Sequence, residues 1–400
     1  KGMRSQFFAE NRRRLVQEIQ GGLVVLSAYG LLQRTNDSAY KIEQESNFWY
    51  LCGIEEADWT LVIEGGYKSW LIMPEVDEVH RIFEGGLSAT DAKTISGVDD
   101  VISSDEGKEL IKRLAKQHSL VQTVGQSPYA EHYNFSLNPA MQKNWAMLER
   151  VFGDVQDCRR QMAGLRAIKL PEELTMIRKA VDVSVEAFKN IHDQLPNYKN
   201  EYEIEADFAR HVRFSGASGL AYDSIVASGR NACTLHYSAN SSAIRAHQLV
   251  LMDMGAQCDR YAADITRTFA KGSPTKRQRT VHQAVERAHL RVIDLIEPML
   301  SVEEYQRNVD AIMTEALAEL NLPNDEAGLR RYFPHAISHG LGIDVHDSLG
   351  APKYFQENMV LTVEPGIYIP EEGIGVRIED DILITATGYE NLSAGLSTGL

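Results

Sequence analysis

The sequence predicts an α+β chain in two parts: a smaller α/β domain over residues 1–164 and a larger domain over residues 165–400. Three observations carry that expectation. At 400 residues the chain exceeds what one hydrophobic core usually supports. Up to about residue 168, helical and strand-like hydrophobic periods alternate, the pattern of an α/β domain. Beyond that point, amphipathic helices and short apolar strands joined by hairpin-length connections fall in separate runs, the pattern of α+β.

In chain order, residues 13–19 read as helix because Leu15 and Ile19 repeat at helical spacing. Segments 22–26, 60–63 and 69–73 read as strands, and 107–114 as helix. A domain boundary is expected near residues 165–169. The next element opens Leu170-Pro171-Glu172-Glu173, with proline at a first helical position and acids at the positive end of the helix dipole. Leu174, Ile177, Val181, Val185, Phe188 and Ile191 trace one face of that helix. Further helices are expected over 201–215, 275–296 and 302–320, and strands at 223–228, 249–254, 260–269, 359–363 and 375–384.

The charge balance narrows the function. A formal net charge of -15 argues against nucleic acid or an anionic membrane as partner, because binding phosphate arrays draws on Lys and Arg. Cys52, Cys158, Cys233 and Cys258 have no metal-knuckle spacing and are too few to staple the chain, so they read as free thiols in a reducing, cytoplasmic setting. No apolar run is long enough to span a bilayer, and the start lacks a signal-peptide layout. Arg12-Arg13-Arg14 reads as a solvated helix face.

Chemistry concentrates in four stretches. In Leu249-Val250-Leu251-Met252-Asp253-Met254-Gly255 one carboxylate interrupts an apolar strand, and Tyr261-Ala262-Ala263-Asp264-Ile265 repeats the device. If the two form a hairpin turning at Cys258-Asp259, Asp253 lies directly opposite Asp264, with Cβ atoms about 4.5–5.5 Å apart. Bare carboxylates that close repel, and a cation between them holds both ionised. For either Asp alone, pairing with Arg260 or Arg267 is a sufficient account. The segment 333–347 holds His335, His339 and His346, three of the chain's twelve histidines, and Gly340 and Gly342 break any helix there. Glu364 ends the apolar strand 359–363 and precedes Pro365, which holds it extended. In Val376-Arg377-Ile378-Glu379, alternation places Arg377 and Glu379 on one face, where an ion pair between them is the plain alternative.

Four carboxylates with one histidine make an oxygen-rich donor set, suited to Mn²⁺ or a similar ion rather than to a thiolate zinc site. Two ions about 3.5–4 Å apart activate one water and polarise a carbonyl together, which is hydrolytic chemistry.

Together with residues 224–232, Leu235-His236-Tyr237 and Val363-Glu364-Pro365-Gly366-Ile367-Tyr368, these stretches resemble the pita-bread (creatinase/aminopeptidase) metallopeptidases. Within them the likeness is to the Xaa-Pro aminopeptidase (aminopeptidase P) and Xaa-Pro dipeptidase (prolidase) branch. Ser46-Asn47-Phe48-Trp49-Tyr50-Leu51-Cys52-Gly53 is similar to the N-terminal domain of that branch, whereas Phe83-Glu84-Gly85-Gly86-Leu87 lacks its Trp and Arg.

The resemblance implies two divalent metal ions, Mn²⁺ with Co²⁺ or Zn²⁺ as alternatives, held by Asp253, Asp264, His339, Glu364 and Glu379. It implies that Glu364 also shuttles a proton to the leaving proline nitrogen, that His236 and His346 hold the substrate carbonyl and its oxyanion, and that His335 lines the proline pocket. Arg377 and Tyr368 would orient ligands and substrate. The implied partners are small peptides with proline in second position, and the implied assembly is a homodimer or higher homo-oligomer. A metal-free hydrolase or a binding module on this fold would have lost ligands, and all five positions are filled here. The short interval from Glu364 to Glu379 has no room for the insertion some prolidases carry, which favours the aminopeptidase.

Overall fold

The computed structural model describes residues 3–66, 68–127 and 129–400. The chain divides into two compact units, the first ending at Leu165 and the second running from Arg166 to Leu400. Among the described residues, no helix is long and apolar enough to cross a membrane.

The first unit is built on a six-stranded sheet in the order Asp100–Ile102, Lys68–Ile72, Thr60–Glu64, Leu23–Ser27, Leu120–Thr123, Asp154–Asp157. The three strands at its centre pair antiparallel and the outer ones parallel, so helices cover it as parallel steps require. Leu23, Val25, Val62 and Trp70 pack with Leu110, Ile111 and Leu114 of helix Ser104–Ala115 and with Leu148 and Phe152 of helix Ala140–Phe152. Each such side chain, fully buried, stabilises the unit by about 1.5–3 kcal/mol.

The arginine run departs from expectation at Arg12, which is buried rather than solvated. Its guanidinium donates to the carbonyls of Leu51 (2.7 Å), Ser96 (2.9 Å) and Gly97 (2.8 Å). Those oxygens sit at the C-terminal ends of helices Ser46–Cys52 and Ala89–Ser96, where no intrahelical donor remains. One planar fork with five N–H groups satisfies all three. Arg13 stays exposed.

In the second unit every paired strand is antiparallel. Leu249–Met254 lies between Ile225–Ser228 and Ile265–Ala270; Val360–Val363 pairs with Asp380–Ile384; Gly366–Ile369 pairs with Ile374–Arg377. Helices Lys276–Ile293 and Val302–Glu319 share one apolar core with the last two strand pairs, through Val285, Val309, Leu361, Ile367 and Val376 among others. Helix Pro171–Gln194 opens with Pro171 and buries Ile177, Val181, Val185, Phe188 and Ile191, with Leu174 half-buried.

Three local departures shape the site. The hairpin turns at Asp259-Arg260 rather than Cys258-Asp259, and both turn residues have positive φ, 45° and 74°. Two such residues give a turn whose twist matches the strands. Asp253 therefore lies opposite Thr266, not Asp264, although a shift of two residues preserves the face.

The other two departures are breaks. Segment 260–269 is two strands, Tyr261–Ala262 and Ile265–Ala270, with Asp264 at the gap; segment 375–384 is Ile374–Arg377 and Asp380–Ile384, with Glu379 at the gap. Backbone partners change at each gap. The N–H of Asp264 donates to the Asp381 carboxylate at 3.0 Å, and the N–H of Glu379 donates to the Thr266 carbonyl at 3.0 Å. At the first gap Gly255 is required, since a Cβ there would stand 1.8 Å from the Ala263 carbonyl oxygen.

Candidate metal centre

Each predicted ligand is placed by backbone bonding that the sequence explains locally. Asp253 rides on a strand whose six residues are all buried. The strand ending at Glu364 zips to the histidine segment: Leu341 N–H donates to Val360, Thr362 N–H to His339 and Glu364 N–H to Ile337. That pairing brings His339 beside Glu364. No helix runs through His335 and His339; the helix Glu326–Tyr332 ends before them.

The loop 340–347 is closed tightly on Asp347, whose N–H donates to the Gly340 carbonyl at 2.9 Å. A Cβ at Gly340 would meet the Asp347 carbonyl oxygen at 2.3 Å, and one at Gly342 would meet its carboxylate at 2.1 Å. The buried Asp347 carboxylate also accepts from Arg166 (2.6 Å) and Lys169 (3.1 Å). The loop so held turns the exposed His346 ring edge-on against His339, with centroids 4.3 Å apart.

The donor atoms converge. One ligand atom each from Asp264, His339 and Glu379 lies within 4.8 Å of the others. His339 Nε2 stands 3.3 Å from Asp264 Oδ2, 3.4 Å from Glu364 Oε1 and 4.0 Å from Glu379 Oε1. Its Nδ1 lies 2.8 Å from the Gly340 carbonyl; an N–H there leaves Nε2 free to face the carboxylates. Asp253 joins through Tyr222, whose hydroxyl lies 2.6 Å from Asp253 Oδ1 and 2.7 Å from Asp264 Oδ1. Thr266 donates to Glu379 Oε2 at 2.6 Å.

Arg377 does not pair with Glu379. It donates to Asp253 Oδ2 at 2.7 Å and to the Tyr368 hydroxyl at 2.8 Å. The Asp253 charge is thus met by an arginine, though neither Arg260 nor Arg267; Arg267 bonds Asp380 at 2.6 Å. Tyr368 lies 2.8 Å from His335 Nε2, and His335 Nδ1 lies 2.8 Å from the Ala336 carbonyl. Arg377, Tyr368 and His335 form one polar chain leading away from Asp253. His236 is exposed, and its charge is one of those that act on His335.

Electrostatics show what the cluster lacks. Burial and then the Asp253 charge raise the Asp264 carboxyl, and burial with Asp264, Glu364 and Asp253 raises Glu379 well above the ordinary range. Glu364 is pushed up to about 8, chiefly by burial. Burial alone would lower His339, but the hydrogen bond and charge of Asp264 and the charge of Glu364 raise it to about 9. His335, by contrast, is lowered to about 4 by burial and by the Arg377 charge. Buried acids that hold on to protons, around an imidazole that does the same, form a site short of positive charge. An oxygen-rich set with one nitrogen fits a divalent cation of the Mn²⁺ or Zn²⁺ kind.

Tyr222, Thr266 and Asp381 are missing from the residues expected from sequence. Thr266 and Asp381 were within reach of it, two residues from Asp264 and Glu379 in alternating strands. Tyr222 lies in a stretch without periodicity and had no such signal.

Residues 175–386 match the model of metallopeptidase family M24, and residues 8–123 match the aminopeptidase P N-terminal domain. The chain is 32% identical to the Xaa-Pro aminopeptidase of Escherichia coli, over 98% of this chain and 95% of the relative. It is 32% identical to human Xaa-Pro aminopeptidase 3, over 90% of this chain and 76% of that one. The solved structure of Escherichia coli aminopeptidase P with the inhibitor Pro-Leu superposes with a TM-score of 0.87, at 31% identity, covering 100% of this chain and 97% of the other. With both units matched and a metal-fitting acidic cluster at its heart, the chain belongs to metallopeptidase family M24.

Proposed function

We propose that this chain is a Xaa-Pro aminopeptidase, releasing the residue that precedes a proline in second position, and that it works with two divalent ions. The observation that carries the reading is the convergence of Asp264, His339 and Glu379 in one buried cluster, joined to Asp253 by Tyr222 and to Glu364 through His339. Mn²⁺ suits the donors, with Co²⁺ and Zn²⁺ close behind. Bound there, the ions supply Lewis acidity toward the peptide carbonyl and make a nearby water easier to deprotonate.

The chain's own groups do the rest. In its ionised form Glu364, whose pull on a proton is strengthened to about 8, can take one from the attacking water and then give it to the proline nitrogen as the bond breaks. His346 and His236 orient the carbonyl and donate to the oxygen as negative charge develops. His335 is kept neutral by burial and Arg377, which suits it to line an apolar pocket for the proline ring. The proline bond has no N–H, so such a pocket needs no acceptor for one.

Pro-Leu, the inhibitor of the Escherichia coli relative, begins with proline as the product of cutting Xaa-Pro-Leu would. A site built alike has room beyond the proline, which favours the aminopeptidase over the dipeptidase. The test is hydrolysis of Xaa-Pro-Yaa against Xaa-Pro in manganese, with elemental analysis of the purified protein. Release of free Xaa from the tripeptide and two metal ions per chain are expected. Cleavage of the dipeptide alone would make it a prolidase, and rates indifferent to metal would overturn the reading.

A further inference from the structure

Glu201, the first residue of helix Glu201–Phe214, is fully buried, and its carboxylate reaches away from its own helix. Oε1 accepts from the Ser228 N–H (2.8 Å), the Ser228 hydroxyl (2.7 Å) and Asn231 Nδ2 (2.9 Å). Oε2 accepts from the Tyr237 hydroxyl (2.8 Å) and the Ser242 N–H (2.8 Å). Every partner is a donor, and every one lies in the stretch 228–242. A carboxylate offers about four lone-pair sites, so these contacts fill it.

The stretch 228–242 carries His236. On either side of that histidine, Leu235 and Tyr237 pack against the small cluster of Ile225, Ala227, Ala232, Leu251 and Tyr368. Leu235 and His236 form a turn that Tyr237 follows, and between two half-buried, inward-packed residues His236 alone is exposed. The inner side of the loop is therefore anchored to Tyr368, which bonds His335, while His236 stands exposed. Loops of this length are otherwise the mobile part of a fold, and Glu201 replaces that freedom with five fixed hydrogen bonds.

We infer that Glu201 is a positioning residue for His236: by gathering the donors of residues 228–242 onto one buried carboxylate, it holds that imidazole where the substrate carbonyl arrives. The inference rests on the reading that His236 contacts the substrate. Glutamine at 201 would turn an N–H₂ toward donors, leaving them unpaired and the loop free to shift.

The test is a double-mutant cycle on the manganese-loaded enzyme with an Xaa-Pro-Yaa peptide, using Glu201→Gln, His236→Ala and the pair. A misplacement of about 1 Å costs on the order of 100-fold, so Glu201→Gln is expected to lower kcat/KM by about that factor. The loss should divide between kcat and KM as it does in His236→Ala, with bound manganese and far-ultraviolet circular dichroism unchanged. If Glu201 acts through His236, the double variant is no slower than His236→Ala alone; if the two losses multiply, the positioning role is refuted. Should Glu201→Gln not fold, Tyr237→Phe, which removes one donor, takes its place in the same cycle with the same two outcomes. An undiminished His236→Ala would overturn the role of the histidine itself, a different failure from an impaired His236→Ala whose loss multiplies with that of Glu201→Gln.

Discussion

The main-chain N–H of Asp264 donates to the carboxylate of Asp381, 3.0 Å away, in the gap between the strands Tyr261–Ala262 and Ile265–Ala270. The carboxylate of a proposed ligand is only as well aimed as the backbone beneath it, and here a second buried acid fixes that backbone. Losing such a partner typically weakens metal affinity about 10–100-fold. Asp381→Ala is expected to lose manganese in that range by equilibrium dialysis. Asp381→Asn, which keeps an acceptor oxygen, should retain most of it.

Stability of the metal-free protein should fall as pH rises. Glu364 is raised to about 8 and His339 to about 9 in the fold, against ordinary values of 4.5 and 6.5. Both groups hold their protons more tightly folded than unfolded. Stability is therefore greatest below the unfolded values and is lost as pH climbs through 8 and 9. A divalent ion displaces those protons, so its stabilising effect should grow over the same window. Thermal melts with chelator and with manganese, from pH 5 to 9, check this; parallel curves would contradict it.

Arg377 joins two halves of the site, since one guanidinium bonds Asp253 and Tyr368. Removing one partner of a buried ion pair costs about 3–5 kcal/mol, because the other charge is left unpaired. Arg377→Met should lose stability of that order in urea unfolding without metal. The deficit should shrink when manganese takes over the Asp253 charge.

Asp264→Ala and Glu379→Ala should abolish turnover and leave the fold intact. Each removes a buried acid that burial and its neighbours disfavour in ionised form. At pH 8 without metal the variants should therefore melt no lower than the parent, whereas manganese should stabilise only the parent. An active Glu379→Ala protein would remove Glu379 from the ligand set.

Much of this was legible in the sequence because apolar strands make an isolated acid conspicuous. Asp253 and Asp264 stand out for that reason, Glu379 for sharing a strand face with Arg377, and Glu364 for its place before Pro365. Register was not legible. The turn depends on Arg260 adopting φ of 74°, a conformation that arginine does not advertise, and the error put Asp264 rather than Thr266 opposite Asp253. The strand breaks were hidden too, because Ile265 and Ile378 continue the apolar pattern across a change of backbone partner. Arg12 misled for a related reason: triplet charge reads as surface, and only the fold shows three helix-end carbonyls waiting for it.

The dispersal of the ligands bears on how the protein comes to be. Asp253 and Asp264 flank one hairpin, but His339, Glu364 and Glu379 arrive from segments synthesised later, and these meet the hairpin through backbone bonds such as the bridge between Thr266 and Glu379 and the Ala262 N–H to the Gly342 carbonyl. No early stretch of the nascent chain holds a competent set of donors. With the ligand set proposed above, cation capture would follow the docking of these hairpins rather than precede it.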